Sequence, residues 1–221
     1  MYKHLDSLLA EAKKRLRIEF NRLGLLGFDE LNVTNTKKVT KAMFDRLLSE
    51  NEKMYQKAAK KAYSKAKKKA EEAGYREEEE TSLGGEWLIG VLLAYNLVTG
   101  YVYDREAERK RLRLNEQILT AREYDSREMF NDGLQRSANL LWTQTAQYGI
   151  TVVDKATMRG LADMGVKEVR WITKDDGREC KVCKERHNKI YELSKVPEKT
   201  HYGCRCYLEP VQVEEEYSAD S

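Results

Sequence analysis

The stretch Trp171-Ile172-Thr173-Lys174-Asp175-Asp176-Gly177-Arg178-Glu179-Cys180-Lys181-Val182-Cys183, answered downstream by His201-Tyr202-Gly203-Cys204-Arg205-Cys206, decides how this chain is read. A helical pattern ends just before it and a different kind of structure begins. All four cysteines of the 221 residues fall between positions 180 and 206. Such clustering points to a metal site, because disulfides that staple a secreted fold are distributed through it. Two cysteines separated by two residues turn both thiolates towards one ion, and zinc takes four nitrogen or sulfur ligands in a tetrahedron. Five candidates are present: Cys180, Cys183, His201, Cys204 and Cys206. The preferred set is Cys180, Cys183, His201 and Cys206, since Cys204 and Cys206 would point to opposite faces of an extended stretch. Cys204 can replace either of its partners. Asp176-Gly177 supplies a turn before the first pair, and the loop from Lys184 to Thr200 closes around the ion. A structural zinc contributing on the order of 10 kcal/mol would hold a terminal module that has little core of its own.

Other chemistries fit this cluster less well. A redox pair at Cys180 and Cys183 leaves His201, Cys204 and Cys206 unexplained. A zinc deaminase requires a His-x-Glu upstream of its paired cysteines, and none is present. A zinc-containing nuclease is the runner-up, because His187-Asn188 follows the first pair, near Arg186 and Lys189. It needs an open coordination position, whereas five competent ligands crowd the ion into a closed site. His187 is expected to be an exposed loop residue.

Upstream, the apolar residues recur at helical steps. Leu5, Leu8, Leu9, Ala12, Leu16, Phe20 and Leu23 share one face, with Gly24 as a stop. A second helix is predicted from the cap candidates Thr34 to Thr36 as far as Ala73, with Gly74 terminating it. At 1.5 Å per residue it would be about 55 Å long. Met54, Ala58, Ala62, Ala66 and Ala70 follow four-residue steps, a small-residue stripe that lets another helix approach closely. After the acidic break Glu77 to Glu80, the apolar run Trp87 to Tyr95 is too short for a bilayer and reads as a buried core helix. From Asp104 to Ala121, Leu114, Ile118 and Ala121 face inward. Arg105, Arg109, Lys110, Arg111 and Arg113 are expected to pair with Glu106, Glu108 and Glu116. A helix from Ser126 to Tyr148, closed by Gly149, is expected to bury Met129, Leu134, Leu140 and Leu141, and a short one runs from Val152 to Met164. Val169, Trp171, Ile172 and Thr173 are strand formers.

The fold class that follows is mainly α: an elongated helical domain over 1–165, a small zinc-stabilised α+β module over 166–212, and an acidic tail over 213–221 that is expected to be disordered. The two prolines and the 35% charged residues agree with long solvated helices. With 40 basic and 37 acidic residues the net charge is +3, so any affinity for an anionic partner must be local. The local candidate is the lysine face opposite the alanine stripe, Lys53, Lys57, Lys60, Lys61, Lys65, Lys67, Lys68 and Lys69. A solvated face is its plain reading. The functional one is weak, sequence-indifferent contact of Lys60, Lys61, Lys65, Lys67, Lys68 and Lys69 with the phosphates of DNA. The N-terminal Met1 to Asp6 lacks the apolar core of a signal peptide, and a reducing cytosol is expected.

Trp171-Ile172-Thr173, Asp176 and Arg178 before Cys180-x-x-Cys183, and the closing His201-x-x-Cys204-Arg205-Cys206 together resemble the phage head morphogenesis family, the minor head proteins similar to protein F of phage Mu. The resemblance covers about residues 166 to 210 well. Over the helices it is loose, resting on Tyr101-Val102-Tyr103 and the run of Glu106, Arg109, Lys110 and Arg111. Members usually carry a proline beside the histidine, where this chain has Tyr202, with Pro197 nearest. The resemblance implies a structural virion component and no enzyme. It would be made in the host cytoplasm and attach in few copies near the portal inside the capsid. Its partners would be the portal protein and/or the major capsid protein, and packaged double-stranded DNA. A membrane partner is not expected.

Overall fold

The computed structural model describes residues 3–76, 81–84, 86, 87, 90, 91, 103–174, 177, 179–199, 204 and 206–213, and of residues 3, 4 and 103–106 the backbone alone. Among the described residues four long helices come first: α1 (Lys3–Leu25), α2 (Val33–Glu72), α3 (Tyr103–Glu123) and α4 (Arg127–Asp163). Three strands, β1 (Glu168–Ile172), β2 (Ile190–Glu192) and β3 (Tyr207–Pro210), then form an antiparallel sheet in the order β2-β1-β3. Between β1 and β2 lies a short helix, α5 (Lys181–Arg186). The chain is mainly α with a small α+β module at its C-terminal end.

Local chemistry sets the helix ends, in places other than expected. The cap of α2 is Asn32, two residues before Thr34: its side-chain oxygen accepts the N–H groups of Thr34 and Asn35 at 2.9 and 3.1 Å. Gly74 closes this helix as predicted. At φ +93° it lets the Tyr75 N–H reach back to the Ala70 carbonyl. Helix α1 runs through Gly24 and stops at Leu25, where Gly27 takes the left-handed turn at φ +82°.

Gly149 does not end a helix, and α4 passes through it to Asp163. A Cβ at this position would lie 3.3 Å from Leu5 and 3.4 Å from Leu9, so the glycine is there for close packing. On α4 the buried stripe is Phe130, Leu134, Leu141 and Tyr148, while Met129 and Leu140 are 43% and 46% exposed. Both sit one residue off a stripe that advances in steps of three and four.

Two compact units result. One comprises Lys3–Ala58 with Gly85–Val152, and its core is hydrocarbon: Leu16, Phe20 and Leu23 of α1, Met43, Phe44 and Leu47 of α2, Leu114 and Ile118 of α3, and Phe130 and Leu134 of α4. Leu114, Ile118 and Ala121 face inward as their spacing predicts.

The other unit joins Ala59–Gly84 to Val153–Ser221. There Ala66 and Ala70 of α2 pack with Leu161, Met164, Val166, Val169 and Leu193. The alanine stripe works with Gly160, where a Cβ would lie 2.7 Å from the Tyr63 carbonyl oxygen and 3.0 Å from the Ala66 methyl. The change of pattern at Gly165 (φ +74°) is thus a change of secondary structure inside a compact unit, because Val169 and Leu193 are covered by the ends of α2 and α4.

Among the described residues no helix is long and apolar enough to cross a membrane. Residue 86 and residues 87, 90 and 91 of the apolar run are helical. The remainder of that run, Glu77 to Glu80, Tyr101 and Val102, and the tail after Val213 lie outside the described residues.

Candidate metal centre

The strand register brings the two cysteine stretches together. Trp171 pairs with Leu208 and Ile172 with Tyr207, so the next rung sets Thr173 opposite Cys206. Accordingly Cys206 Sγ lies 3.5 Å from Thr173 Oγ1. On the other side of β1, the Trp171 N–H donates to the Lys189 carbonyl at 2.9 Å and the Asn188 N–H to the Trp171 carbonyl at 2.8 Å. The chain between these strands must therefore double back, and α5 does so. Cys180 caps it, its sulfur accepting the Cys183 N–H at 3.4 Å, and Cys183 follows in the first turn.

Three sulfurs converge. Cys183, Cys204 and Cys206 are all buried, and their Sγ atoms lie within 4.8 Å of one another. Cys183 and Cys204 are 3.6 Å apart and not disulfide-bonded. In a tetrahedron with metal–sulfur bonds of about 2.3 Å the sulfurs stand about 3.8 Å apart. The Cys183–Cys204 separation is close to that value, and the cluster of three could hold an ion. Cys204 and Cys206 do not point to opposite faces. Strand β3 begins only at Tyr207, so the alternation of an extended strand does not govern the two residues. His201, Asp176, Arg178 and Arg205 lie outside the described residues.

Electrostatics favour a cation at this point. Burial pushes the Cys183 thiol up to about 12. Hydrogen bonding with Cys206, and then burial, push Cys204 up as well. The Cys204 thiol, donating to Cys206, holds that group down to about 5. A divalent cation would offset the cost of ionising thiols buried this close together. The Trp171 indole N–H adds to the anion's support, helping to lower Cys206, although it is buried and has no partner at ordinary hydrogen-bond distance.

Two residues that the sequence reading gave no role hold this site. Trp171 is 2% exposed and forms the floor of the cluster with the three cysteines. The Arg186 guanidinium sits 5.2 Å above its ring, and Tyr191 meets it edge-on. Thr173 donates its hydroxyl to the Cys183 carbonyl at 2.9 Å and its N–H to His187 Nδ1 at 3.1 Å. The signal was there: Val169 and Trp171 of β1 and Thr173 just after it alternate and are all buried. His187 is exposed, as expected, and braces the backbone of Thr173 through one ring nitrogen.

The lysines of α2 are not equivalent. Lys60, Lys61, Lys65 and Lys68 are exposed, and Lys68 stands 3.9 Å from Glu72. Lys67 and Lys69 are half-buried and serve the fold. Lys67 donates to the Thr81 carbonyl at 3.2 Å. Lys69 pairs with Glu209 at 2.9 Å over the ring of Tyr207. Along α3, Arg111 pairs with Glu108, one of the ion pairs expected there. Compared with family models, with curated proteins and with solved structures, the chain finds no match.

Proposed function

We propose that this chain is a structural minor head protein of a tailed phage, bound near the portal inside the capsid and assisting head assembly, genome packaging or ejection. Zinc is the structural ion of its C-terminal module in this reading. One observation carries it: Cys183, Cys204 and Cys206, from two stretches twenty residues apart, converge at the motif that resembles the head morphogenesis family. A closed thiolate site stabilises a fold and leaves no coordination position for a substrate. The helical faces would then meet the portal or the major capsid protein, and the exposed Lys60, Lys61, Lys65 and Lys68 would meet packaged DNA without sequence preference.

The test is to purify heads from the source of this sequence and probe them with an antibody raised against the chain, alongside elemental analysis of the reduced protein. The chain is expected in mature heads in few copies, and the isolated protein is expected to carry stoichiometric zinc. Its absence from both mature heads and assembly intermediates would reject the role, and metal-free protein indifferent to chelators would reject the zinc. A nuclease is the alternative, and plasmid cleavage abolished by His187→Ala would establish it in place of this proposal.

A further inference from the structure

Resting on the reading of a zinc module, we infer that the fourth ligand is Cys180, so that the ion is held by four thiolates, Cys180, Cys183, Cys204 and Cys206, and His201 is not needed to bind it. Three vertices of the tetrahedron are the buried sulfurs of Cys183, Cys204 and Cys206. Cys180 is the described residue best placed to supply the fourth. It packs against that cluster and interacts with the Cys183 thiol.

The backbone of Cys180 is extended (φ −73°, ψ 160°), and its sulfur accepts the N–H of Cys183, three residues on. That bond folds the Cys-x-x-Cys segment into a turn with both sulfurs on one side, the arrangement a pair of thiolates needs to grip one ion. It also satisfies a free N–H of the first turn of α5 without using the sulfur's remaining lone pairs. The residue is only half-buried, and its sulfur is not among the three lying within 4.8 Å of one another. Ligation requires only that its sulfur, which already faces the cluster, close the remaining gap to the other three. The three inner cysteines are already fixed by the sheet register, by Thr173 and by Trp171, so Cys180 is the ligand that closes the site.

Four thiolates make a soft site with a formal charge of −2 around a divalent ion. Such a set selects zinc, cadmium or cobalt and rejects magnesium and calcium, which require oxygen. Titrating the reduced, metal-free full chain with Co²⁺ counts the sulfurs, because each cobalt–thiolate bond adds to the near-ultraviolet charge-transfer band. The wild-type chain and His201→Ala are expected to give the same four-sulfur intensity and to be displaced by the same concentration of zinc.

Cys180→Ala is expected to lower zinc affinity by more than about 100-fold, beyond what the loss of a supporting residue costs. Cys180→His, which keeps a ligand and so keeps the site closed, should show three sulfurs in place of four. Full intensity in Cys180→His, or a loss of affinity in His201→Ala that matches the loss in Cys180→Ala, would overturn the assignment while leaving the zinc reading intact. Failure of the wild-type chain to bind Co²⁺ or Zn²⁺ at all would remove both.

Discussion

The helical unit and the cysteine cluster are buried to the same degree by different means. Leu114 and Ile118, which are 0% and 1% exposed, belong to a cluster of apolar side chains drawn from all four long helices. Burying each such side chain contributes about 1.5–3 kcal/mol. The fully buried partners of Trp171 are Cys183, Cys204 and Cys206, small side chains that bring little area and three ionisable thiols. A hydrocarbon core is stabilised by excluding water, whereas a cluster of thiols gains most from a cation that lets them ionise and ligate it. The largest expected effect follows from that difference. Stripping zinc with a chelator should remove on the order of 10 kcal/mol from the C-terminal module. Amide exchange of the Trp171 and Asn188 N–H groups, both bonded across β1 and β2, should accelerate by orders of magnitude. Meanwhile the far-ultraviolet helical signal should largely persist. Unchanged protection of these amides in chelator would erase the contrast.

The converse substitution sharpens it. Leu114→Ala leaves a cavity in the helical unit and should cost about 2–5 kcal/mol, read as a lower urea midpoint. Zinc affinity should stay as it was, since Leu114 belongs to the other compact unit. A parallel fall in zinc affinity would mean that the two units fold as one.

How much of this could be read from the chain alone differs between the same two regions. In the helices, spacing found the buried faces of α1 and α3 because an apolar stripe needs only local periodicity. It misplaced the stop at Gly149, since a glycine that ends a helix and one that admits a neighbour look alike until the neighbour is known. It took Met129 and Leu140 as buried for being apolar, when only their angular position could tell. At the cysteines, residue type alone pointed to a metal site, and the fold brings three of the sulfurs together where they could hold an ion. The argument that set Cys204 aside failed because it assumed a strand where β3 has not yet begun. Thr173 went without a role because its partners, the Cys183 carbonyl and His187 Nδ1, are backbone and side-chain atoms that only the fold brings near.

Each unit has a buried helical glycine, and the pair offers a finer comparison. At Gly160 an added methyl would meet the Tyr63 carbonyl oxygen at 2.7 Å. Backbone cannot step aside as a side chain can, so Gly160→Ala should push α2 and α4 apart there and cost about 1–3 kcal/mol. At Gly149 the methyl would meet the tips of Leu5 and Leu9 at 3.3 and 3.4 Å. Those can rotate, and alanine's better helix propensity offsets up to about 1 kcal/mol, so Gly149→Ala should be close to neutral. Thermal unfolding of the two variants side by side decides the matter, and equal costs would show that helix contacts are alike in both units.

The smallest effect concerns a polar tie in the C-terminal unit. Tyr63 donates its hydroxyl to Asp163 at 2.7 Å and lies 2.7 Å from the Thr81 hydroxyl, while Arg159 pairs with the same carboxylate at 2.8 Å. Burial, above all, raises the Tyr63 phenol above its ordinary value of 10.0. Folded protein therefore keeps this proton at a pH where the unfolded chain has released it. The contribution is complete below about pH 10 and is lost as the pH rises through the folded value. Tyr63→Phe removes the hydrogen bond but leaves Arg159 on Asp163, so at neutral pH it should cost only about 1 kcal/mol. The gap between wild type and variant, measured as the difference in denaturant midpoint, should narrow between pH 9 and pH 11. A gap that stays constant over that range would mean the phenol titrates alike in both states and the tie is not buried in solution. A gap that widens would reverse the sign of the shift, leaving Tyr63 better described as a phenolate stabilised by Lys67, whose ammonium lies 5.4 Å from its ring.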